Sequence, residues 1–227
     1  MTTKQEAITY TFKEPIRAAF SNVITPRAFK ENGKEKGDPR YDATFILEPN
    51  SADLTALKDL CITMAKGMYP GKRLVASRLT QEQVDDGGFV EVAMPWFDGT
   101  KQADKAKAAG KEQEFFRGKM CVKAASKFAP ALSGIENGKI VAYTNPETRP
   151  TLDKLFYAGS YVVPHVQLHS YPARDNKPGG VSLWLNAVCF IKHGDRLTGG
   201  KGVNAAEVFS QYAGAVSAED PTGGDEL

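Results

Sequence analysis

No run of about 18 apolar residues occurs in the 227-residue chain, so no membrane-spanning helix is expected. The opening residues, MTTKQEAITYTF, hold no apolar segment of the secretory-signal kind. Cysteine is scarce: Cys61, Cys121 and Cys189 are an odd number, each flanked by apolar residues, and read as buried thiols in a reducing compartment. Histidine is equally scarce. His165 and His169 stand four apart in a strand-like stretch, where that spacing is about 13 Å, too far to share a metal ion. The third, His193, stands apart from both. Also missing are a G-x-x-x-x-G-K-[ST] loop, a G-x-S-x-G elbow and a C-x-x-C pair. The GGKG at 199–202 follows no parallel strand and reads as a turn, as does Asp85-Asp86 beside Gly87-Gly88. The terminal GDEL has no signal segment to make it a retrieval address, and GGDEL at a chain end is not the motif of a packed cyclase domain. With no catalytic constellation left, the chain is expected to be no enzyme and to carry no cofactor or metal.

What is present suits a folded domain: 41% hydrophobic and 25% charged residues, enough for a sizeable core. Residues 16–29 and 41–49 read as strands, the second with Tyr41, Ala43, Phe45 and Leu47 on one face. The charged KENGKEKGDPR between them reads as a loop. Leu54, Leu57, Cys61, Met64 and Met68 recur at helical spacing behind the caps Asn50 and Ser51, and Pro70-Gly71 stops the helix. GFVEVAMPWFDGT (88–100) reads as strand then turn, and strand patterns follow at 115–128, 161–171 and 181–191. The Lys/Ala-rich 101–114 reads as a surface loop or loose helix. These elements predict a mainly β chain: an OB-fold-like, five-stranded antiparallel Greek-key barrel with one main helix and inserted loops. The expected division is a domain over 1–210 and a flexible acidic tail over 211–227.

Parity sorts the strands into faces. In 118–128, Lys119, Cys121, Lys123, Ala125 and Lys127 point one way and Met120, Val122, Ala124, Ser126 and Phe128 the other. In 181–191, Val181, Leu183, Leu185, Ala187, Cys189 and Ile191 form a core face, which leaves Trp184 beside Ser182 and Asn186 on the polar side. In 161–171, Tyr161, His165, Gln167, His169 and Tyr171 oppose Val162, Val166 and Leu168. Phe20, Phe45 and Phe128 read as core. In FFRG (115–118) two adjacent rings face opposite ways, so one can stack outward. Strands with one apolar and one basic or aromatic face are what a single-stranded nucleic acid needs. Cations neutralise phosphates, and exposed rings stack on unpaired bases. A lysine-bearing face equally suits plain solvation. The candidate contact set is Arg17, Lys34, Lys36, Arg40, Phe116, Arg117, Lys119, Lys123, Lys127, Tyr161, Tyr171, Arg174, Lys177 and Trp184.

Tyr157, Gly159 and Tyr161, then Tyr171, then Gly180, Val181, Ser182, Leu185 and Asn186, then Leu197, Gly199 and Gly200, form a series. It resembles the C-terminal half of a family of tailed-phage single-stranded DNA-binding proteins, although Thr198 interrupts the last element. GKMCVKAASK resembles that family's central strand, and MPWFDG resembles a turn of its gene-2.5-type members. The resemblance spans about residues 16–210. It implies an OB-fold, no catalysis, single-stranded DNA as partner, work in phage replication, recombination and repair in the infected host's cytoplasm, and an acidic tail.

Residues 218–227 hold Glu219, Asp220, Asp225 and Glu226, no Lys or Arg, and the breakers Pro221, Gly223 and Gly224. Without them the chain carries 29 basic against 23 acidic side chains, a balance of +6. Such a tail can compete with DNA for a basic groove and, once displaced, dock phage or host replication proteins. It equally suits a solubilising end. The family often finishes on Phe; this chain finishes on Leu227. A phage virion or assembly protein that uses the same sheet for protein contacts is the competing reading, and monomer and dimer are both open.

Overall fold

The computed structural model describes residues 7–31, 34–76, 78–144, 149–174 and 177–197. In chain order the elements are β1 (Thr9–Thr11), β2 (Ile16–Glu31), β3 (Lys34–Leu47), α1 (Ala52–Met68), β4 (Arg73–Val75), α2 (Gln81–Asp86), β5 (Phe89–Glu91) and β6 (Trp96–Asp98). Then come α3 (Gly99–Ala108), a 3-10 turn (Glu114–Phe116), β7 (Met120–Ser126), β8 (Ala131–Glu136), β9 (Lys139–Ala142), α4 (Arg149–Leu155), β10 (Tyr161–Tyr171) and β11 (Gly180–Lys192).

The protein is mainly β, as expected, and its strands form one large sheet in the order β6-β7-β3-β2-β10-β11-β8-β9, with β1 on β10. All its pairings are antiparallel except β8 with β11. β11 also packs against β7, so the sheet curls over a core that includes Phe12, Phe45, Val122, Val166, Leu183 and Leu185, each at most 2% exposed. β1, β6, β8 and β9 carry the sheet beyond five strands. β4 and β5 form a separate parallel pair joined through α2. Asp85-Asp86 ends α2, and Gly87 (φ 63°) supplies the left-handed cap, so this stretch is a helix end rather than an isolated turn.

α1 forms where its periodicity places it. Ser51 Oγ accepts the Leu54 N–H, and Leu54, Leu57, Cys61 and Ala65 make the buried stripe. Asp53, 4% exposed in the first turn, accepts the Tyr10 hydroxyl (2.6 Å) and the amides of Lys13 (3.0 Å) and Glu14 (3.1 Å). One carboxylate thus ties the β1–β2 connection to the N-terminus of α1, where the helix dipole favours it. Burial, followed by the Asp53 bond, pushes the Tyr10 phenol well above its ordinary range and keeps it a donor. Asp53→Ala strands those donors and is expected to cost about 2–4 kcal/mol of stability. Thermal unfolding checks this, with a midpoint lowered by roughly 5–15 °C expected for a domain of this size.

Four sequence expectations are corrected. The stretch 30–40 is strand at 30–31 and 34–40, not loop: Lys30 pairs with Glu35 and Arg27 with Arg40. Beyond Tyr41 this hairpin is a two-stranded ribbon with no third neighbour among the described residues, where Gly37 and Pro39 are tolerated. Phe115 and Phe116 belong to the 3-10 turn before β7 rather than to the strand. Phe128 is 76% exposed, because β7 stops at Ser126, whose Oγ accepts the Phe128 N–H and turns the chain. In β11 the core face changes parity at Asn186: His165 pairs with Ala187 and Val166 with Leu185, which leaves Asn186 as a bulge. Val188 and Phe190 therefore point inward, and Ala187, Cys189 and Ile191 are only half-buried. Phe45 is buried as expected, whereas the Phe20 side chain lies outside those described.

Candidate nucleic-acid interface

Three outward-facing strand segments converge on one groove. β11 presents Trp184, 39% exposed, because Leu183 and Leu185 on either side of it turn into the core. β10 ends in Tyr171, paired with Gly180. Gly180 is required there: a Cβ would run into the backbone of Ala93, which brackets it through Ala93 N–H to Gly179 O and Val181 N–H to Ala93 O. That bracket draws the Met94–Phe97 segment against β11. The resulting cavity, about 340 Å³, is walled by Trp184, Tyr171, Trp96 and Phe97 and carries Arg40 and Lys123. A second cavity of about 430 Å³ holds Asn22, Arg27 and Asp42 and shares Lys123 with the first. Lys123 joins the two across β7.

Charge in the groove is only partly neutralised. Lys123 is exposed and has no ion-pair partner among the described residues, nor does Arg40. Arg27 Nη1 donates weakly to Asn22 Oδ1 at 3.5 Å, and Asn22 Nδ2 donates to Asp42 at 2.9 Å. Burial raises the Tyr171 phenol above its usual range.

The other predicted residues separate. Lys119 lines a different cavity of about 430 Å³ with Arg17 and Tyr161. There Lys119 is paired with Glu48 at 2.5 Å, and Arg17 donates to the carbonyls of Gly159 and Asp195. These cations are already engaged, so this cavity is the poorer phosphate site. Lys127 is bound to Asp38 at 2.7 Å, which holds that carboxyl below the usual range. Arg117 forks between Glu114 and Asp104. Phe116 is fully buried in a second apolar cluster with Ala19, Ala103 and Cys121, and so cannot stack on a base. The cause is α3, which folds over the outer face of β7 as far as Cys121. Of the three lysines on that strand face Lys123 lines the groove, while Lys119 and Lys127 are held by Glu48 and Asp38. Arg174 and Lys177 are exposed on the turn after Tyr171. Lys34 and Lys36 lie in β3, with side chains outside those described, and Glu219, Asp220, Asp225, Glu226 and Leu227 lie outside the described residues altogether.

Arg27, Trp96 and Phe97 line these cavities but are not in the sequence-derived contact set, nor is His169, which the sequence places on the outer face of 161–171. Trp96 and Phe97 sat in the MPWFDG turn, and their burial could not be read without the Ala93–Gly180 contact. Arg27 follows register shifts in β2 that erase parity.

Burial pushes the Cys61 and Cys121 thiols up to about 12, so neither is a thiolate at neutral pH. His165 is bonded to Thr11 Oγ1 at 2.6 Å, and His193 stacks on Tyr157. Among the described residues no group of three His, Cys, Asp or Glu could hold a metal ion, and no helix is long and apolar enough to cross a membrane.

The fold is shared with solved phage proteins. The single-stranded DNA-binding protein from bacteriophage Enc34, solved in complex with ssDNA, superposes with a TM-score of 0.56 at 13% identity, over 86% of this chain and 91% of that one. A C-terminal truncation of it gives 0.53 at 13% identity, over 85% and 89%. Gp2.5, a single-stranded DNA-binding protein encoded by bacteriophage T7, gives 0.52 at 12% identity, over 98% and 100%. No curated protein matches the chain in sequence. The model of the family described as Enterobacter phage Enc34 ssDNA-binding protein matches residues 9–220, nearly the whole chain, and the chain belongs to that family.

Proposed function

We propose that the protein binds single-stranded DNA along the Trp184–Lys123 groove, without base preference, and coats strands exposed during phage replication, recombination and repair in the infected host cell. It is a binding protein and not an enzyme, in keeping with its family. The observation that carries the reading is Lys123, unpaired among the described residues and shared by two cavities, one of them walled by Trp184 and Tyr171. A ring can stack on any unpaired base, so the site is sequence-tolerant. In a duplex the bases already stack on one another, and only phosphate contacts remain. Binding of a labelled oligothymidylate against a matched duplex, across a salt series, tests this. Log affinity for the single strand is expected to fall with log salt by about 0.7 per phosphate neutralised. Equal affinity for the duplex would contradict the proposal.

A protein-contact role is the second reading. Ile135 and Ile140 face each other across the β8–β9 hairpin, 50% and 77% exposed, at the end of the sheet. Salt-independent failure to bind oligonucleotides would favour it.

The acidic end has a place in the same account. Tethered to a body of opposite charge, residues 218–227 compete with DNA for the groove until a long strand displaces them and frees them for replication proteins. Deleting 218–227 is expected to raise single-strand affinity, most at low salt, where the Debye length is about 30 Å at 0.01 M against about 10 Å at 0.1 M. Replacing the four acids by Asn and Gln should reproduce the gain. Unchanged affinity at every salt concentration would show that the tail does not compete.

A further inference from the structure

Trp184 does not stand alone. One face of its indole is covered by His169, with ring centroids 4.6 Å apart and planes inclined by 23°. His169 is exposed and is not among the groove-lining residues, whereas Trp184 is. Strand register explains the contact. Trp184 is opposite Gln167 and Ser182 is opposite His169, so His169 is the diagonal neighbour of Trp184 on the outer face of the β10–β11 hairpin. Bonds on either side hold that arrangement: Ser182 Oγ donates to the His169 carbonyl, and Asn186 Nδ2 donates to Gln167 Oε1, both at 3.3 Å. The bulge at Asn186 changes strand parity immediately beyond Trp184, so the indole occupies the last outward position before the hairpin face shifts.

An indole on an open sheet face samples several rotamers. A ligand that must first order it loses part of the stacking gain. We propose that His169 is a positioning residue for DNA binding: it stacks on the far side of Trp184, fixes the ring, and leaves the groove-facing side free for a base. The bound state is then a base–Trp184–His169 sandwich in which two of the three layers are assembled before DNA arrives. His169 acts through Trp184 and touches no nucleotide. This inference rests on the groove reading above.

The test combines oligothymidylate binding with the anisotropy of Trp184 in a Trp96→Phe background, measured without DNA. His169→Ala is expected to weaken binding by about 3- to 10-fold, the scale of one aromatic pair, and to lower Trp184 anisotropy. His169→Phe, which keeps a stacking ring, is expected to restore both. The double variant His169→Ala/Trp184→Ala should bind no more weakly than Trp184→Ala alone, because the histidine has nothing left to position. Wild-type binding by His169→Ala, alongside a weakened Trp184→Ala, would overturn the positioning role and leave the groove intact. Additive losses, or unchanged anisotropy, would overturn it as well. Should Trp184→Ala itself bind normally, the groove reading fails and this inference fails with it.

Discussion

Trp184→Ala is expected to weaken single-strand binding by roughly 1–3 kcal/mol, or about 5- to 150-fold, the value of one base stacked on an aromatic ring. The loss should be similar for thymine and adenine oligonucleotides, since the indole reads a π-face and no base edge. Stability should hardly change. Trp184 is 39% exposed, and its neighbours Leu183 (2%) and Leu185 (1%) supply the core on that strand. The contrast is Leu185→Ala, which should cost about 2–5 kcal/mol of folding stability while leaving the groove side chains in place. A thermal midpoint that falls as far for Trp184→Ala as for Leu185→Ala would assign the indole to the core.

Reversing two cations of the groove should have an effect at least as large. Lys123 and Arg40 have no ion-pair partners among the described residues, so each can neutralise a phosphate without first breaking a salt bridge. Lys123→Glu with Arg40→Glu replaces two attractions by two repulsions. At low salt an affinity loss on the order of 100-fold is expected, and the slope of log affinity against log salt should flatten by about 1.4. Net charge alone does not account for this, and a matched control separates the two. Arg117→Glu with Lys139→Glu makes the same change in total charge, but Arg117 is already bound to Glu114 and Asp104, and Lys139 lies on β9. Compared at 0.1 M salt, where the Debye length is only about 10 Å, that pair should bind within about threefold of wild type while the groove pair still loses more. Equal losses in the two double variants would mean that binding follows overall charge and not the groove.

Much of this was legible residue by residue, where local pattern and tertiary structure agree. β10 occupies 161–171 as its alternation predicts, and α1 follows its three- and four-residue spacing. Trp184 could be placed off the core from Ser182 and Asn186 because parity holds up to the bulge. Parity fails where the chain gains or loses a residue against its neighbour. Beyond Asn186 it inverts, which is how Cys189 came to be read as core. It also says nothing about what covers an outer face. Cys121 shares a face with Lys123, yet α3 and Phe116 bury the first and leave the second open. The Lys/Ala-rich sequence of α3 gives little sign of this, since Ala103 and Ala106 are its buried side chains and are too small to make a strong stripe. Lys119 and Lys127 were indistinguishable from Lys123 in sequence. Their partners Glu48 and Asp38 lie 71 and 89 residues away.

The most direct measurement of the central claim is a fluorescence titration of the Trp96→Phe variant, in which Trp184 is the sole tryptophan. Unlabelled oligothymidylate should quench its emission to saturation. The midpoint should agree with that of a labelled strand and shift to weaker binding as salt rises, and matched duplex should leave the signal nearly unchanged. If the labelled strand binds while Trp184 emission stays constant, DNA lies elsewhere on the protein and the Trp184–Lys123 groove is not its site.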